Sequence, residues 1–119
     1  MIRIQGISHV ELPVRDTGDI DRAVRFYGDV FGFEVVVRGG DRVLLQTPAG
    51  SGSIALRLAG EVDPLSAAQF GLGLADPGEL DAALRLVVAC GGLLVERTDH
   101  AVGGTTAVVA DPSGHRITL

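Results

Sequence analysis

His9 and Glu11 stand two residues apart in Ile7-Ser8-His9-Val10-Glu11-Leu12, and a step of two along an extended chain puts both side chains on one face. The pair has three readings. It is a hydrogen-bonded polar spot on a sheet, a ligand contact, or an acid and base for proton transfer, since an imidazole titrates near neutral pH with little tuning. The same alternation groups Ser53, Ala55 and Arg57, which offers one cation to an anionic group or to a neighbouring carboxylate. His100 follows Thr98-Asp99 in a loop that runs into Gly103-Gly104, and reads as a ligand contact or an exposed loop residue. His115 follows Pro112-Ser113-Gly114 and reads as a turn or interface residue. The lone Cys90, beside Val87, Val88 and Ala89, cannot form an internal disulfide and is expected to be a buried, unreactive thiol.

The elements that must position these groups follow from period and punctuation. Residues 7–14 alternate, with Val10, Leu12 and Val14 opposite His9, Glu11 and Pro13, as in a half-buried strand. Asp16-Thr17-Gly18-Asp19 caps a helix that carries Ile20, Val24, Tyr27 and Phe31 at helical spacing and ends at Gly32. Strands are expected over 34–38, 43–47 and 53–58, separated by the turns at Gly39-Gly40-Asp41 and Gly50-Ser51-Gly52. After a linker over 59–68, the order recurs. A strand is expected over 70–75, then a helix capped by Asp76 with Pro77 next and Glu79 completing a capping box. That helix buries Leu80, Leu84 and Val87 and stops at Gly91-Gly92; strands follow over 93–97, 105–110 and 116–119.

The recurrence is visible in the residues. Thr47-Pro48-Ala49-Gly50 followed by Ile54-Ala55-Leu56 has its counterpart in Asp111-Pro112-Ser113-Gly114 followed by Ile117-Thr118-Leu119. Residues 7–12 are matched with 68–73, which pairs His9 with Phe70. Offsets of about 60 residues, half the chain, indicate two strand-helix-strand-strand-strand modules, near 5–58 and 69–119. On this matching Phe70, Leu72 and Leu74 face a cleft, Gly71, Gly73 and Ala75 face the helices, and Phe70→Arg or Leu72→Asp should abolish ligand binding without unfolding.

Length and composition set the frame. At 119 residues the chain suits one domain with one shared core, and 46% hydrophobic with 21% charged residues is ordinary globular usage. The net charge of -5, without a single Lys, argues against a nucleic-acid footprint. No apolar run reaches the roughly 20 residues of a membrane helix. No signal-peptide pattern opens the chain, and a cytoplasmic location is the expectation.

Residues 21–35, Asp21-Arg22-Ala23-Val24-Arg25-Phe26-Tyr27-Gly28-Asp29-Val30-Phe31-Gly32-Phe33-Glu34-Val35, resemble the opening helix of the vicinal oxygen chelate superfamily. Its members include glyoxalase I, bleomycin resistance protein and extradiol dioxygenases. Gly103-Gly104-Thr105-Thr106 and Asp111-Pro112-Ser113-Gly114 resemble the second-module hairpin of that group, and the likeness runs over nearly the whole chain from Ile7. It implies an α+β fold of two βαβββ modules whose curled mixed sheets form a cleft. It also implies a divalent metal held from the first and last strands of both modules, at positions that fall here on His9, Ala55, Phe70 and Thr118.

Ala55 and Phe70 carry no donor and Thr118 only a neutral hydroxyl, so one His remains where about three or more N, O or S donors are needed. No metal and no cofactor are therefore expected. The resemblance then implies a small, partly apolar organic ligand held in the cleft by His9, Glu11, Ala55, Arg57, Phe70, Leu72, His100 and Thr118, in a homodimer. The alternative is a lyase, isomerase or dioxygenase-type enzyme that uses His9 and Glu11 as acid and base, or a metal at a non-standard site. A degenerate module acting only as a subunit is a third reading.

Overall fold

The computed structural model describes residues 1–60 and 68–119; most of the linker expected over 59–68 therefore lies outside the described residues. Strand β1 (Val10–Val14), helix α1 (Thr17–Phe31) and strands β2 (Glu34–Arg38), β3 (Arg42–Gln46) and β4 (Ser53–Leu58) form the first module. Strand β5 (Gln69–Gly71), helix α2 (Leu80–Ala89) and strands β6 (Leu93–Asp99), β7 (Thr105–Ala110) and β8 (Arg116–Thr118) form the second. Two separate mixed sheets result, ordered β1-β4-β3-β2 and β5-β8-β7-β6. In each, the first strand runs parallel to the last and the other pairs are antiparallel. Neither sheet closes on itself.

Local chemistry accounts for the elements. Asp16 accepts a hydrogen bond from the Asp19 N–H at 2.8 Å and starts α1, and Gly32, at φ +74°, ends it in the left-handed conformation that glycine adopts without a Cβ penalty. The second helix begins later than its sequence implies. Asp76 accepts from the Gly78 N–H, Pro77–Glu79 form a tight 3-10 turn, and α2 proper opens only at Leu80, with no side-chain cap from Glu79. The first strand of each module is shorter than its alternation suggests, and β6 runs two residues further, to Asp99.

Helix α1 buries more than one stripe. Ile20, Ala23, Phe26 and Tyr27 are all buried, because α1 packs on its own sheet and against α2 as well. Leu12, Val14, Val43, Leu45, Ile54 and Leu56 from the first sheet join Ala107, Val109 and Ile117 from the second in one continuous core. At roughly 1.5–3 kcal/mol for each large apolar side chain buried, this core is the main support of both sheets.

Buried polar groups bind the modules together. The Tyr27 hydroxyl donates to Asp111 Oδ2 at 2.7 Å, while Asp111 Oδ1 accepts from the Ser113 and His115 N–H groups. His115, 2% exposed, accepts from the Ala68 N–H at Nδ1 and donates from Nε2 to the Pro13 carbonyl at 2.8 Å. Its ring spans both modules, and these two bonds fix the tautomer.

Candidate functional site

Each sheet turns one face to the helices and leaves the other open. In the first sheet the side chains of Leu12, Leu56 and Val43 point to the core, so the alternate row points the other way. That open row crosses the sheet in register as Glu11, Ala55, Leu44 and Val37. Arg57 and Pro13 lie beside it, and Arg57 Nε meets Glu11 Oε1 at 2.5 Å, diagonally between β4 and β1. Ala55 is fully buried in the floor of this face. His9 precedes β1 and is exposed, its Nδ1 3.0 Å from Ser8 Oγ.

The second sheet repeats the arrangement with different residues. Its open row is Gly71, Thr118, Val108 and Glu96. Thr106 and Thr98, paired across β7 and β6, extend this face, and His100 Nε2 lies 3.0 Å from Thr106 Oγ1. The structure thus assembles Thr106 and Thr118 on one sheet, with His100 just past β6 in contact with Thr106, and Glu11, Ala55 and Arg57 on the other, with His9 just ahead of β1. Among the described residues, no hydrogen bond or ion pair joins the two open faces.

Phe70 and Leu72 lie elsewhere, which corrects the matching of residues 7–12 with 68–73. Phe70 is in register with Ile117, which is fully buried, and Phe70, Leu72 and Leu74 all pack on the helix side against the core. Gly71 faces outward instead. The true equivalent of Glu11 is Gly71, because Glu11 pairs with Ala55 and Gly71 with Thr118. A slip of one residue moves every side chain of a strand to the opposite face. Phe70→Arg and Leu72→Asp accordingly alter half-buried residues packed against the core, and are expected to destabilise the chain rather than to act on an open face.

Glu96, Thr106 and Val108 on the second open face were not anticipated. The structure places them through the bulge in each outer strand: the register shifts between Val35 and Val37 in β2, and between Leu94 and Glu96 in β6. Pairing these bulges aligns Val37 with Glu96 and, through the ladders, Leu44 with Val108. Cys90 is half-buried at the end of α2 and is not in the core.

The donor chemistry does not suit a divalent metal at the four strand positions that the resemblance implies. Ala55 offers a methyl group, Phe70 a ring directed into the core, and Thr118 a neutral hydroxyl; Gln69, which the corrected pairing makes the equivalent of His9, offers only a neutral amide. Among the described residues, no three His, Cys, Asp or Glu side chains are grouped to hold a metal ion. No helix of the described residues is long and apolar enough to cross a membrane.

Two unclosed mixed sheets built on a repeated βαβββ plan define a class, and the sequence places the chain within it. The chain belongs to the Glyoxalase/Bleomycin resistance protein/Dioxygenase superfamily, whose family model matches residues 6–119. Among solved structures, it is similar to a glyoxalase-related enzyme from Fulvimarina pelagi, with 24% identity, 97% of this chain and 86% of that one covered, and a TM-score of 0.75. A lactoylglutathione lyase from Agrobacterium tumefaciens gives 21% identity, coverage of 98% and 92%, and a TM-score of 0.76. A bleomycin resistance determinant encoded on transposon Tn5 gives 24%, 97% and 96%, and 0.70. At these identities the likeness is one of fold. No curated protein matches the chain.

Proposed function

We propose that this chain is a metal-independent binding member of its superfamily. It takes up a small, partly apolar organic molecule with a polar or anionic end, and sequesters or carries it. In this reading two copies pair, so that the first sheet of one and the second sheet of its partner close a cleft between their open faces. The observation that carries the reading is the pair of central positions, Ala55 and Thr118, which stand mid-row on the two open faces and offer a methyl group and a hydroxyl.

The surroundings fit the ligand class. Leu44, Val37 and Val108 supply apolar surface, Arg57 a cation, and His100 with Thr106 and Thr118 neutral hydrogen-bonding groups. The outer strands favour pairing, since Val35, Val36 and Val37 in β2 and Leu93, Leu94 and Val95 in β6 are all more than 40% exposed. The engagement of Glu11 by Arg57 favours binding over acid-base chemistry by a His9–Glu11 couple, because the carboxylate already has a partner.

Thermal-shift screening of aromatic carboxylates and apolar antibiotics, with and without chelator, tests this. A stabilising compound should act equally with chelator present, and its effect should disappear in Leu44→Asp or Val108→Asp proteins that remain folded. Stabilisation that chelator abolishes, or that both variants retain, would refute the reading.

A further inference from the structure

The repeat relates two grooves that flank the helix pair. One, of ≈ 440 Å³, lies beside α1 and is lined by Arg22, Arg25, Phe26, Asp29, Gly91 and Pro112 among others. Its counterpart lies beside α2, has ≈ 510 Å³, and includes Ala82, Leu86, Phe31 and Pro48 in its walls. Ala82 occupies the position of Arg22, Leu86 that of Phe26 and Pro48 that of Pro112, with offsets of about 60 residues. The first groove is charged and the second apolar.

One pair of residues accounts for a difference in how the two grooves are walled. The Phe33 N–H donates to the Tyr27 carbonyl at the end of α1, and the Gly92 N–H to the Val87 carbonyl at the end of α2, so Phe33 and Gly92 are equivalent. A Cβ on Gly92 would lie 2.9 Å from the Phe26 ring and 2.6 Å from the Ala110 carbonyl; the bare glycine lets Phe26 of α1 settle there. At the matching place Phe33 fills the space itself, and the smaller Leu86 contributes only to the wall of a groove.

We infer that the groove between α2, Phe31, Phe33 and the Thr47–Ser51 turn is a second binding site, for a small amphipathic amine. Its volume lies within the usual range for small-molecule sites, about 300–1,000 Å³. Val30, Phe31, Phe33, Leu72, Leu74 and Leu86 supply an apolar trough. Glu79 is the one charged residue lining it, with no Arg, Lys or His among the described lining residues, and among the described residues Glu79 forms no ion pair. A hydrocarbon or aromatic body in the trough with its ammonium at Glu79 satisfies both surfaces. The site shares none of Glu11, Ala55, Leu44 or Arg57 with the open face of the first sheet.

Titration of the 15N-labelled full chain with n-octylamine, and with octanoate as the charge-reversed probe, tests the inference by amide chemical shifts. Octylamine should give saturable shifts at Leu74, Ala83 and Leu86, and octanoate a markedly weaker response. Ala82→Arg, which restores the cation found in the other groove, should weaken octylamine roughly tenfold or more by filling an exposed wall. Glu79→Gln should erase the preference for the amine. Absence of saturable shifts at the groove, or equal binding of both probes, would overturn the site, as would octylamine binding that survives Ala82→Arg but is lost in Leu44→Asp. Failure here leaves the reading of the open faces intact.

Discussion

The two modules share one backbone plan and differ in what they carry. An Asp starts the helical segment of each, Asp16 capping α1 and Asp76 the 3-10 turn that leads into α2, and both place one bulge in the outer strand. Each also ties the far end of that strand back to its helix, through Arg38 with Asp21 and Arg97 with Asp81. The central row of the first open face is Glu11, Ala55, Leu44 and Val37; that of the second is Gly71, Thr118, Val108 and Glu96. Equivalent places hold a carboxylate against nothing, a methyl against a hydroxyl, and an aliphatic chain against a carboxylate. The repeat supplies the frame, and chemistry resides in the departures from it.

The two modules differ most in stability terms at their helix ends. Gly92→Ala places a methyl 2.6 Å from the Ala110 carbonyl and 2.7 Å from Val87, and should cost about 3 kcal/mol or more in urea denaturation. Gly32→Ala meets only Pro48 at 3.2 Å and a left-handed backbone, and should cost about 1–2 kcal/mol. Equal costs would mean that the two helix ends are packed alike.

Next in size is the buried bond across the module junction. Tyr27→Phe leaves Asp111 Oδ2 without its donor and should cost about 1–3 kcal/mol. Burial first, and the Asp111 carboxylate second, push the Tyr27 hydroxyl well above its ordinary 10.0. A raised folded-state pKa contributes stability that is complete below pH 10 and declines as pH rises beyond it. Wild-type protein should therefore lose stability above pH 10 more steeply than Tyr27→Phe, as read by denaturation midpoints across the alkaline range.

A smaller effect is expected on the open face. Arg57→Gln should change stability by less than about 1 kcal/mol, because its partner Glu11 is also exposed, while weakening any anionic ligand roughly tenfold. The smallest is at Asp19, which Arg22 holds below the ordinary 3.8 by a charged hydrogen bond, against the opposing effect of burial. A lowered folded-state pKa contributes stability that is present above about pH 4 and lost as pH falls further. Asp19→Asn should flatten that acid limb by a fraction of the total, since Arg22 is half exposed.

Much of this was legible in the residues. The bounds of β2, β4 and β7, the Asp16 cap and the Gly32 stop follow from alternation and punctuation. The donor-poor Ala55 and Thr118 were readable once the two halves were aligned. The facing of Phe70 was not, because Phe70-Gly71-Leu72-Gly73-Leu74 alternates strictly and either parity is self-consistent. Only pairing with Ile117 decides it. The groove beside α2 was equally hidden, since it depends on whether Phe26 or Leu86 reaches across the junction, and no local pattern encodes that contact.

The most direct measurement is metal content per chain by mass spectrometry, on untagged protein equilibrated with Zn, Ni, Mn or Fe(II) and then desalted. Less than about a tenth of an equivalent of each is expected, since His9 is the lone strong donor among His9, Ala55, Gln69 and Thr118. Close to one equivalent, lost in His9→Ala, would contradict metal independence.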